Sequence, residues 1–429
     1  MAADEPLRIK GYVEAGHIIP GARTAWEGGD AMESDLFGTH AVRGPAPVMA
    51  SNRVTLGYDK SQFPLLCQHV LAASEAENTE KLLNALGVVR RSLSPATKVA
   101  EAATAGLLDV LLSLVDYGAS DRARELATDA VLTMLTHSAG RAQVIACAKE
   151  AEVAGRLRRL ARLTADSSQR VRLSALRALN AVAGAQPGPA VLSGAEGVVA
   201  AVAEAVARES AGRSVAAAEA EAEALACLAR CAQSHDREGV VRCLACSVPE
   251  VAVTALARGR GRSTAEAARL LTALATPAHG KDAVLAAGAT MSACEAVSAL
   301  REGAAAAAAA GAGDARGRGS SDERTVADGL GASMALLGML CIDTGAKRHA
   351  FDAGAVDAVV GVLREWRHQA VLVHACRAVE VLTELPEARA ALLAAGADTA
   401  LLDVRDGPRT RDAVVRAADD AHKAVTWKP

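Results

Sequence analysis

From about residue 60 onward, hydrophobic side chains recur at spacings of three and four, in segments separated by short turns. This period predicts amphipathic α-helices with one apolar face. The clearest unit spans residues 350–385, where a turn at Gly354 precedes two helices that are separated by a break near residues 367–369. Their apolar positions are Val356, Val359, Val360 and Leu363 in the first helix and Val371, Val373, Cys376, Val379 and Leu382 in the second. The unit is predicted to be a helical hairpin with an apolar side.

A short turn containing Ala and Gly precedes the predicted hairpins at regular intervals. Gly354 and Gly396 lie 42 positions apart. The intervals from Gly106 to Gly194 and from Gly194 to Gly288 are 88 and 94 positions, which correspond to pairs of units of 44 and 47. A period in the low-to-mid forties is typical of armadillo and HEAT repeats. We therefore expect seven or eight stacked units between residues 60 and 425.

One interval breaks this period. Gly288 and Gly354 are 66 positions apart, and the segment between them contains seven consecutive alanines followed by Gly and Ser. Removing residues 303–324 restores a spacing of 44. We interpret residues 303–324 as a low-complexity loop insertion, because lengthening a surface loop has a small entropic cost.

Residues 1–54 differ from the rest of the chain. They contain four prolines and several glycines, without a sustained helical period. We expect this segment to form an extended, largely irregular arm that becomes ordered on a partner. The predicted repeat array covers residues 55–425, its polar last helix suits a terminal cap, and residues 426–429 form a tail. The candidate protein-binding residues of the arm are Tyr12, Ile18, Trp26 and Phe37.

Composition supports an all-α fold, an armadillo/HEAT-type right-handed superhelical solenoid with an extended N-terminal arm. Hydrophobic residues make up 51% of the 429 residues but aromatic residues only 2%, and alanine outnumbers the β-branched residues that strands prefer. The net charge of −3 gives no general attraction to nucleic acid or to an anionic membrane. The chain lacks a secretory signal and a span of about 18 apolar residues, so we expect a soluble intracellular protein.

Four cysteines lie close together in the sequence and raise the question of a metal site. Cys227, Cys231, Cys243 and Cys246 fall within one short segment, with His235 between the pairs. Zinc prefers four such ligands in tetrahedral geometry. However, Cys227 and Cys231 are four positions apart on one predicted helix, where they would pack into the core as small buried thiols. We favour structural thiols over zinc.

Seven arginines lie within 22 positions and are candidates for an exposed ridge that contacts an acidic partner. Within this group, Arg156, Arg159 and Arg162 are the candidate contact residues. The alternative is a solvated face balanced by the acidic residues at positions 219, 221 and 223, which we favour because aromatic stacking residues are missing nearby. The seven are Arg156, Arg158, Arg159, Arg162, Arg170, Arg172 and Arg177.

Catalytic motifs are missing from the sequence. It contains no phosphate-binding loop with its lysine, no nucleophile elbow and no HExxH, and no paired-carboxylate pattern stands out. His137 has no second metal-binding side chain three or four positions away and is expected to cap or pack at a helix end. We therefore expect a non-catalytic protein without a cofactor or small-molecule substrate. Nuclear import adaptors present repeated Trp and Asn on inner helices, and this chain has only three Trp, so cargo import is the weaker interpretation.

Three motifs resemble the radial spoke head 14 homologue family of ciliary armadillo proteins. They are Gly57-Tyr58 before the first helix, Gly106-Leu107-Leu108 at a turn, and Thr136-His137-Ser138-Ala139-Gly140-Arg141 after a helix pair. The resemblance covers about residues 55–210. It implies a structural subunit of the axonemal radial spoke in the cilium or flagellum, with other axonemal proteins as partners. The N-terminal arm and the Ala/Gly insertion depart from the family pattern, which leaves open another axonemal armadillo subunit.

We therefore expect a scaffold that holds neighbouring proteins through its solenoid surface and its arm, without nucleic acid, membrane or small-molecule ligands. The alternative is a cytoplasmic armadillo adaptor that binds linear peptides of a signalling or transport partner.

Overall fold

The chain divides into two units, Met1–Arg53 and Val54–Pro429. The computed structural model describes residues 62–114, 120–145, 150–234, 237–310, 319–408 and 410–427, all in the second unit. Every regular element in these ranges is an α-helix, which confirms the predicted all-α class. The predicted arm, with Tyr12, Ile18, Trp26 and Phe37, lies outside the described residues.

The described helices form eight successive repeats. In repeat 1 two helices are described, and each later repeat has three. Repeat 1 contains α1 (Gln62–Glu75) and α2 (Thr79–Ser92), and repeat 2 contains α3 (Ala96–Thr104), α4 (Leu107–Ser113) and α5 (Asp121–Thr136). Repeat 3 contains α6 (Ser138–Ile145), α7 (Glu150–Leu163) and α8 (Gln169–Ala183). Repeat 4 contains α9 (Gly188–Gly194), α10 (Val198–Ala211) and α11 (Val215–Ala232).

Repeats 5 to 8 continue the same order of a short helix, a second helix and a long third helix. Repeat 5 contains α12 (Glu238–Ala245), α13 (Val248–Ala257) and α14 (Gly261–Leu274), and repeat 6 contains α15 (Ala278–Ala286), α16 (Ala289–Ala310) and α17 (Gly319–Leu340). Repeat 7 contains α18 (Thr344–Asp352), α19 (Ala355–Glu365) and α20 (Gln369–Leu382). Repeat 8 contains α21 (Pro386–Ala394), α22 (Ala397–Arg405) and α23 (Asp412–Thr426).

The last helix of each repeat packs against the last helix of the next, and these contacts run without interruption along the array. We call α2, α5, α8, α11, α14, α17, α20 and α23 the ladder helices. The second helices form a parallel layer that also contacts from repeat to repeat. The predicted two-helix hairpin therefore corresponds to the second and third helices of each repeat. The short first helix was not predicted from the sequence.

The buried apolar side chains form two clusters, one between Phe63 and Leu340 and one between Cys294 and Val425. Both clusters draw side chains from α16 and α17, so the apolar core is continuous through repeat 6. Each repeat buries its apolar face only by stacking on its neighbours, which is how a solenoid obtains its core.

The turn between the short helix and the second helix uses a left-handed backbone. Four predicted turn glycines have positive φ there: Gly106 at 76°, Gly288 at 82°, Gly354 at 81° and Gly396 at 71°. The prediction for Gly194 is wrong, because this residue ends α9 and Gly197, with φ of 78°, makes the turn. An L-residue is strained at such angles, which explains the choice of glycine.

A second recurring glycine marks the corner between each ladder helix and the following short helix in repeats 3 to 6. A methyl group on Gly140 would overlap the carbonyl oxygen of Met134, and one on Gly188 that of Val182. Two later corners show the same close approach at Gly239 and Gly280. The two helices pass so closely at these corners that only a residue without a side chain fits.

The predicted loop over residues 303–324 is wrong for most of its length. Residues 303–310 continue α16, and residues 319–324 form the start of α17. Alanine has the highest helix propensity of all residues, and seven consecutive alanines extend α16 to 22 residues. Arg301 Nε donates to Glu365 Oε2 of α19 at 2.9 Å and anchors the lengthened helix to the next repeat.

No single helix among the described residues combines the length and hydrophobicity needed to cross a bilayer. Three helix pairs, each bent by more than 40°, reach that threshold only when both members are taken together.

Candidate protein-binding surface

Ion pairs connect successive ladder helices from repeat 2 to repeat 6. Every pair joins an arginine on one ladder helix to a carboxylate on the adjacent one. We call the set the ion-pair ladder, since it follows the stacked helices. Its members are Arg170 with Asp129 at 2.8 Å, Arg177 with Glu219, Arg262 with Glu223 at 2.9 Å, and Arg269 with Asp328.

Neutral polar side chains reinforce the same carboxylates. Ser174 Oγ donates to Asp129 Oδ1 at 2.8 Å, and Asn180 Nδ2 donates to Glu223 Oε2 at 2.5 Å. These acceptors are therefore bound from two sides. The face of repeats 2 to 5 has its charges neutralised within the protein.

A deeper ion pair holds α8 against α10. Arg172 pairs with Glu209, whose side chain is only 2% exposed, and also donates to the carbonyl oxygens of Asp166 and Ser167 at 3.0 Å each. A carboxylate this buried needs a charged partner, because the desolvation of an unpaired ion is expensive.

The surface changes across α14, α17 and α20, where the structure has a groove of about 770 Å³. Its floor on α17 is made of small residues, Gly331, Ala332 and Ala335. Aligning the apolar positions of α17 with those of α14 places Ala335 where the earlier helix carries Arg269. The groove forms where α17 has Ala332 and Ala335 in place of the long side chains of Glu266 and Arg269 on α14.

Among the described residues, both carboxylates that line the groove are bound, whereas one of its three arginines, Arg324, is not. Arg269 Nη1 lies 2.8 Å from Glu266 Oε1 and also pairs with Asp328, so both acidic residues of the lining are engaged. Among the described contacts, Arg324 and His368 of the lining have no side-chain partner. These two side chains are exposed and free to bind a ligand.

A second pair of basic residues lies on α20. His374 lines the groove, and Arg377 lies one turn further along the same helix. Partial burial, and then the nearby Arg377 charge, lower the pKa of His374 below its ordinary value. The described contacts include no ion pair for Arg377, so its charge remains available.

The predicted arginine ridge divides between two helices, with four members on α7 and three on the ladder helix α8. Arg156 is only 13% exposed, because Nε and Nη2 each contact an Asp109 carboxylate oxygen at 2.7 Å and Nη1 donates to the Gln143 carbonyl oxygen. Arg159 and Arg162 also have partners. Binding by these three remains a prediction, but the Arg177–Glu219 pair supports the balanced-face interpretation.

The residues that line the groove are not among the site residues predicted from the sequence. The one available signal was the presence of Ala332 and Ala335 in α17 at positions where α14 carries Glu266 and Arg269. That signal becomes visible only when the ladder helices are aligned by their buried leucines, Leu270 and Leu271 of α14 with Leu336 and Leu337 of α17.

Three of the four clustered cysteines are buried, as the structural interpretation predicts: Cys227, Cys231 and Cys243, whereas Cys246 is partly exposed. The hydrogen bond with Cys231, followed by burial, raises the pKa of Cys227, and burial raises the pKa of Cys243. The same hydrogen bond with Cys227 lowers the pKa of Cys231. Within the described ranges no group of three His, Cys, Asp or Glu has a metal-binding arrangement, and His235 lies outside them.

The motifs that carried the family resemblance have structural roles. Gly106 makes the left-handed turn before α4. In the third motif, His137 ends α5, as predicted, while Arg141 Nη1 donates to the carbonyl oxygens of Leu135 and Thr136 at 3.1 and 2.7 Å. Gly57-Tyr58 lies outside the described residues. The two described motifs therefore shape the corners of repeats 2 and 3.

No family model matches the sequence, and the search of curated proteins found no significant match. Solved structures do match. A chain from a study of a phosphorylation switch in the interaction between cadherin and β-catenin has a TM-score of 0.61 and 13% identity, covering 85% of this chain and 67% of that one. The structure of SYS-1 has a TM-score of 0.60 and 11% identity, covering 85% of this chain and 63% of that one.

A designed armadillo repeat protein matches with a TM-score of 0.47 and 19% identity over 63% of this chain and 99% of its own. Identities this low concern the fold alone. The two matches with TM-scores of 0.60 and above, together with the three-helix repeats and the stacked ladder helices, establish an armadillo-type solenoid.

Proposed function

We propose that this protein is a non-catalytic scaffold that binds other proteins through the face of its ladder helices. The observation that supports this most directly is the groove across α14, α17 and α20, where the ion-pair ladder gives way to small residues and unpaired cations. An armadillo-type solenoid presents such a face along many repeats, so several modest contacts add up to a specific interface.

The finer proposal is a structural subunit of the ciliary or flagellar axoneme, with the radial spoke as its place. Its support is the sequence resemblance in residues 55–210. The ion pairs between successive repeats also fix the register of the ladder helices, which suits a subunit of a permanent assembly.

Fractionation of cilia tests this proposal. The tagged full chain, expressed in ciliated cells, is expected to stay with the axonemes after detergent removes the membrane, and to form cross-links to spoke proteins. Release of the chain into the detergent-soluble fraction would contradict an axonemal role, but it would not contradict the proposal that the protein is a scaffold.

The second candidate is a cytoplasmic adaptor that captures linear peptides. The groove favours it, because its lining crosses three ladder helices and the small residues on α17 leave room for an extended chain. Selection of a random peptide library on the purified chain is expected to yield ligands that protect α14, α17 and α20 from hydrogen exchange. Ligands that protect only the second helices would argue against this face as the docking surface.

A further inference from the structure

We propose that the groove across α14, α17 and α20 binds an extended, acidic segment of a partner protein. This inference rests on the proposed function and specifies the chemistry of the ligand.

The length of the groove fits an extended peptide. Its lining runs from Gln233, just after α11, to His374 on α20, which covers three intervals between ladder helices. Packed helices lie about 8–10 Å apart, so the groove is about 25–30 Å long. A chain that rises about 3.3 Å per residue spans this distance with about eight or nine residues.

The charges of the groove select the sign of the ligand. The lining carboxylates Glu266 and Asp328 are already held by Arg269. Arg324, which is exposed and unpaired among the described contacts, and the two histidines offer donors without acceptors. Arg377 adds a further positive charge close enough to His374 to lower its pKa. Side-chain carboxylates are the acceptors that arginine binds best.

The same residues disfavour nucleic acid. Among the described residues that line the groove there is no Phe, Tyr or Trp, and single-stranded nucleic acid binds largely through bases stacked on aromatic rings. The small residues on α17 leave room for a polypeptide backbone to lie close to the helix, with its acidic side chains directed toward Arg324 and α20. A segment rich in Asp and Glu therefore fits better than RNA or DNA.

The test measures binding of three labelled ten-residue peptides to the purified full chain by fluorescence anisotropy. One peptide alternates Glu with Gly and Ser, the second has Gln in place of Glu, and the third has Lys. A ten-nucleotide single-stranded RNA is the fourth probe. The variants are Arg324→Glu, Arg377→Glu and a matched reversal, Arg90→Glu, at an exposed position of α2 far along the array.

We expect the Glu peptide to bind, and the Gln and Lys peptides to bind at least about tenfold more weakly. Arg324→Glu and Arg377→Glu should each weaken Glu-peptide binding about tenfold, because reversing a charge at an interface removes attraction and adds repulsion. Arg324→Lys should retain most of the affinity, Arg90→Glu should leave it unchanged, and hydrogen-exchange protection should fall on α14, α17 and α20.

Three outcomes would overturn the inference: no binding of the Glu peptide, equal or tighter binding of the Gln, Lys or RNA probe, or an equal loss of affinity in Arg90→Glu. Selective protection of the groove by the Gln or Lys peptide would overturn the acidic ligand while leaving the scaffold function standing. Library-selected ligands that bind elsewhere would instead count against the groove itself.

Discussion

The ladder helices of repeats 2 to 5 and those of repeats 6 and 7 occupy equivalent places but present different surfaces. In the first region a charged residue on each ladder helix finds its partner on the next, as Arg177 does with Glu219 and Arg262 with Glu223. In the second region Gly331, Ala332 and Ala335 of α17 line the groove, and α20 carries His374 in the lining and the exposed Arg377 one turn further along. The charged side chains of the first region thus pair with one another, whereas those of the second region remain available to bind a ligand.

The difference separates two uses of one helix face. A face closed by ion pairs fixes the register between repeats but offers little to a partner, because its donors and acceptors are already occupied. A face with small residues and free cations has donors that a partner can still bind. Substitutions in the first region should therefore mainly change the free energy of unfolding, and substitutions in the second region should mainly change ligand binding.

Loss of an internal ion pair should have the largest effect. Arg172→Ala leaves Glu209 buried without its charged partner, and we expect the free energy of unfolding to fall by about 3 kcal/mol. Arg377→Ala is the matched change in the second region and should alter stability by less than about 0.5 kcal/mol. Urea denaturation followed by circular dichroism measures both. Equal losses in the two variants would remove the distinction between the regions.

The corner glycines distinguish repeats 3 to 6 from repeats 7 and 8. Gly140→Ala places a methyl group against the Met134 carbonyl oxygen, so we expect a loss of about 2 kcal/mol. Gly194→Ala is the control, because nothing lies within 4 Å of its added methyl group. Later corners are less restrictive, since Ala346 and Ala388 occupy the third positions of α18 and α21. Thermal unfolding in which both variants match the parent would show that the early corners also tolerate a side chain.

These corners illustrate what the sequence reveals and what it does not. The period of the apolar residues and the glycines at positions 106, 288, 354 and 396 predict the stacked repeats correctly, because both patterns are local. The short helices escaped detection because they bury few residues; α6 buries only Gly140 and Val144. A helix of two turns with two buried positions gives no clear helical period.

The binding surface was less predictable than the fold for a physical reason. Most of the ladder's ion pairs join residues about 40 positions apart, as in Arg170 and Asp129. Which arginines are neutralised depends on the register between ladder helices, which is set by packing and not by local sequence. The arginine cluster at 156–177 was therefore conspicuous in the sequence. The groove is formed by small residues on α17, which attract no notice in the sequence.

Filling the groove should have a smaller effect than Arg172→Ala or Gly140→Ala. We expect stability to increase and peptide binding to weaken. Gly331→Ala adds a methyl group at ordinary contact distance from Val371, so the helix should gain about 0.5–1 kcal/mol of stability. The same methyl group raises the groove floor and should weaken binding of the Glu peptide severalfold. The two readouts are urea denaturation and anisotropy. A stabilised variant with unchanged peptide affinity would show that the ligand does not reach α17.

The smallest effect concerns the charge of Arg377. If this guanidinium is unneutralised, as the contrast between the regions requires, its removal in Arg377→Ala relieves the repulsion that opposes protonation of His374. The pKa of His374 should then rise toward its ordinary value of 6.5 but stay below it, because partial burial is the larger cause of the shift and remains. An NMR titration of the His374 imidazole resonances in the parent and in Arg377→Ala measures this. An unchanged His374 titration would mean that a counter-ion already screens Arg377, and the second region would then be as neutral as the first.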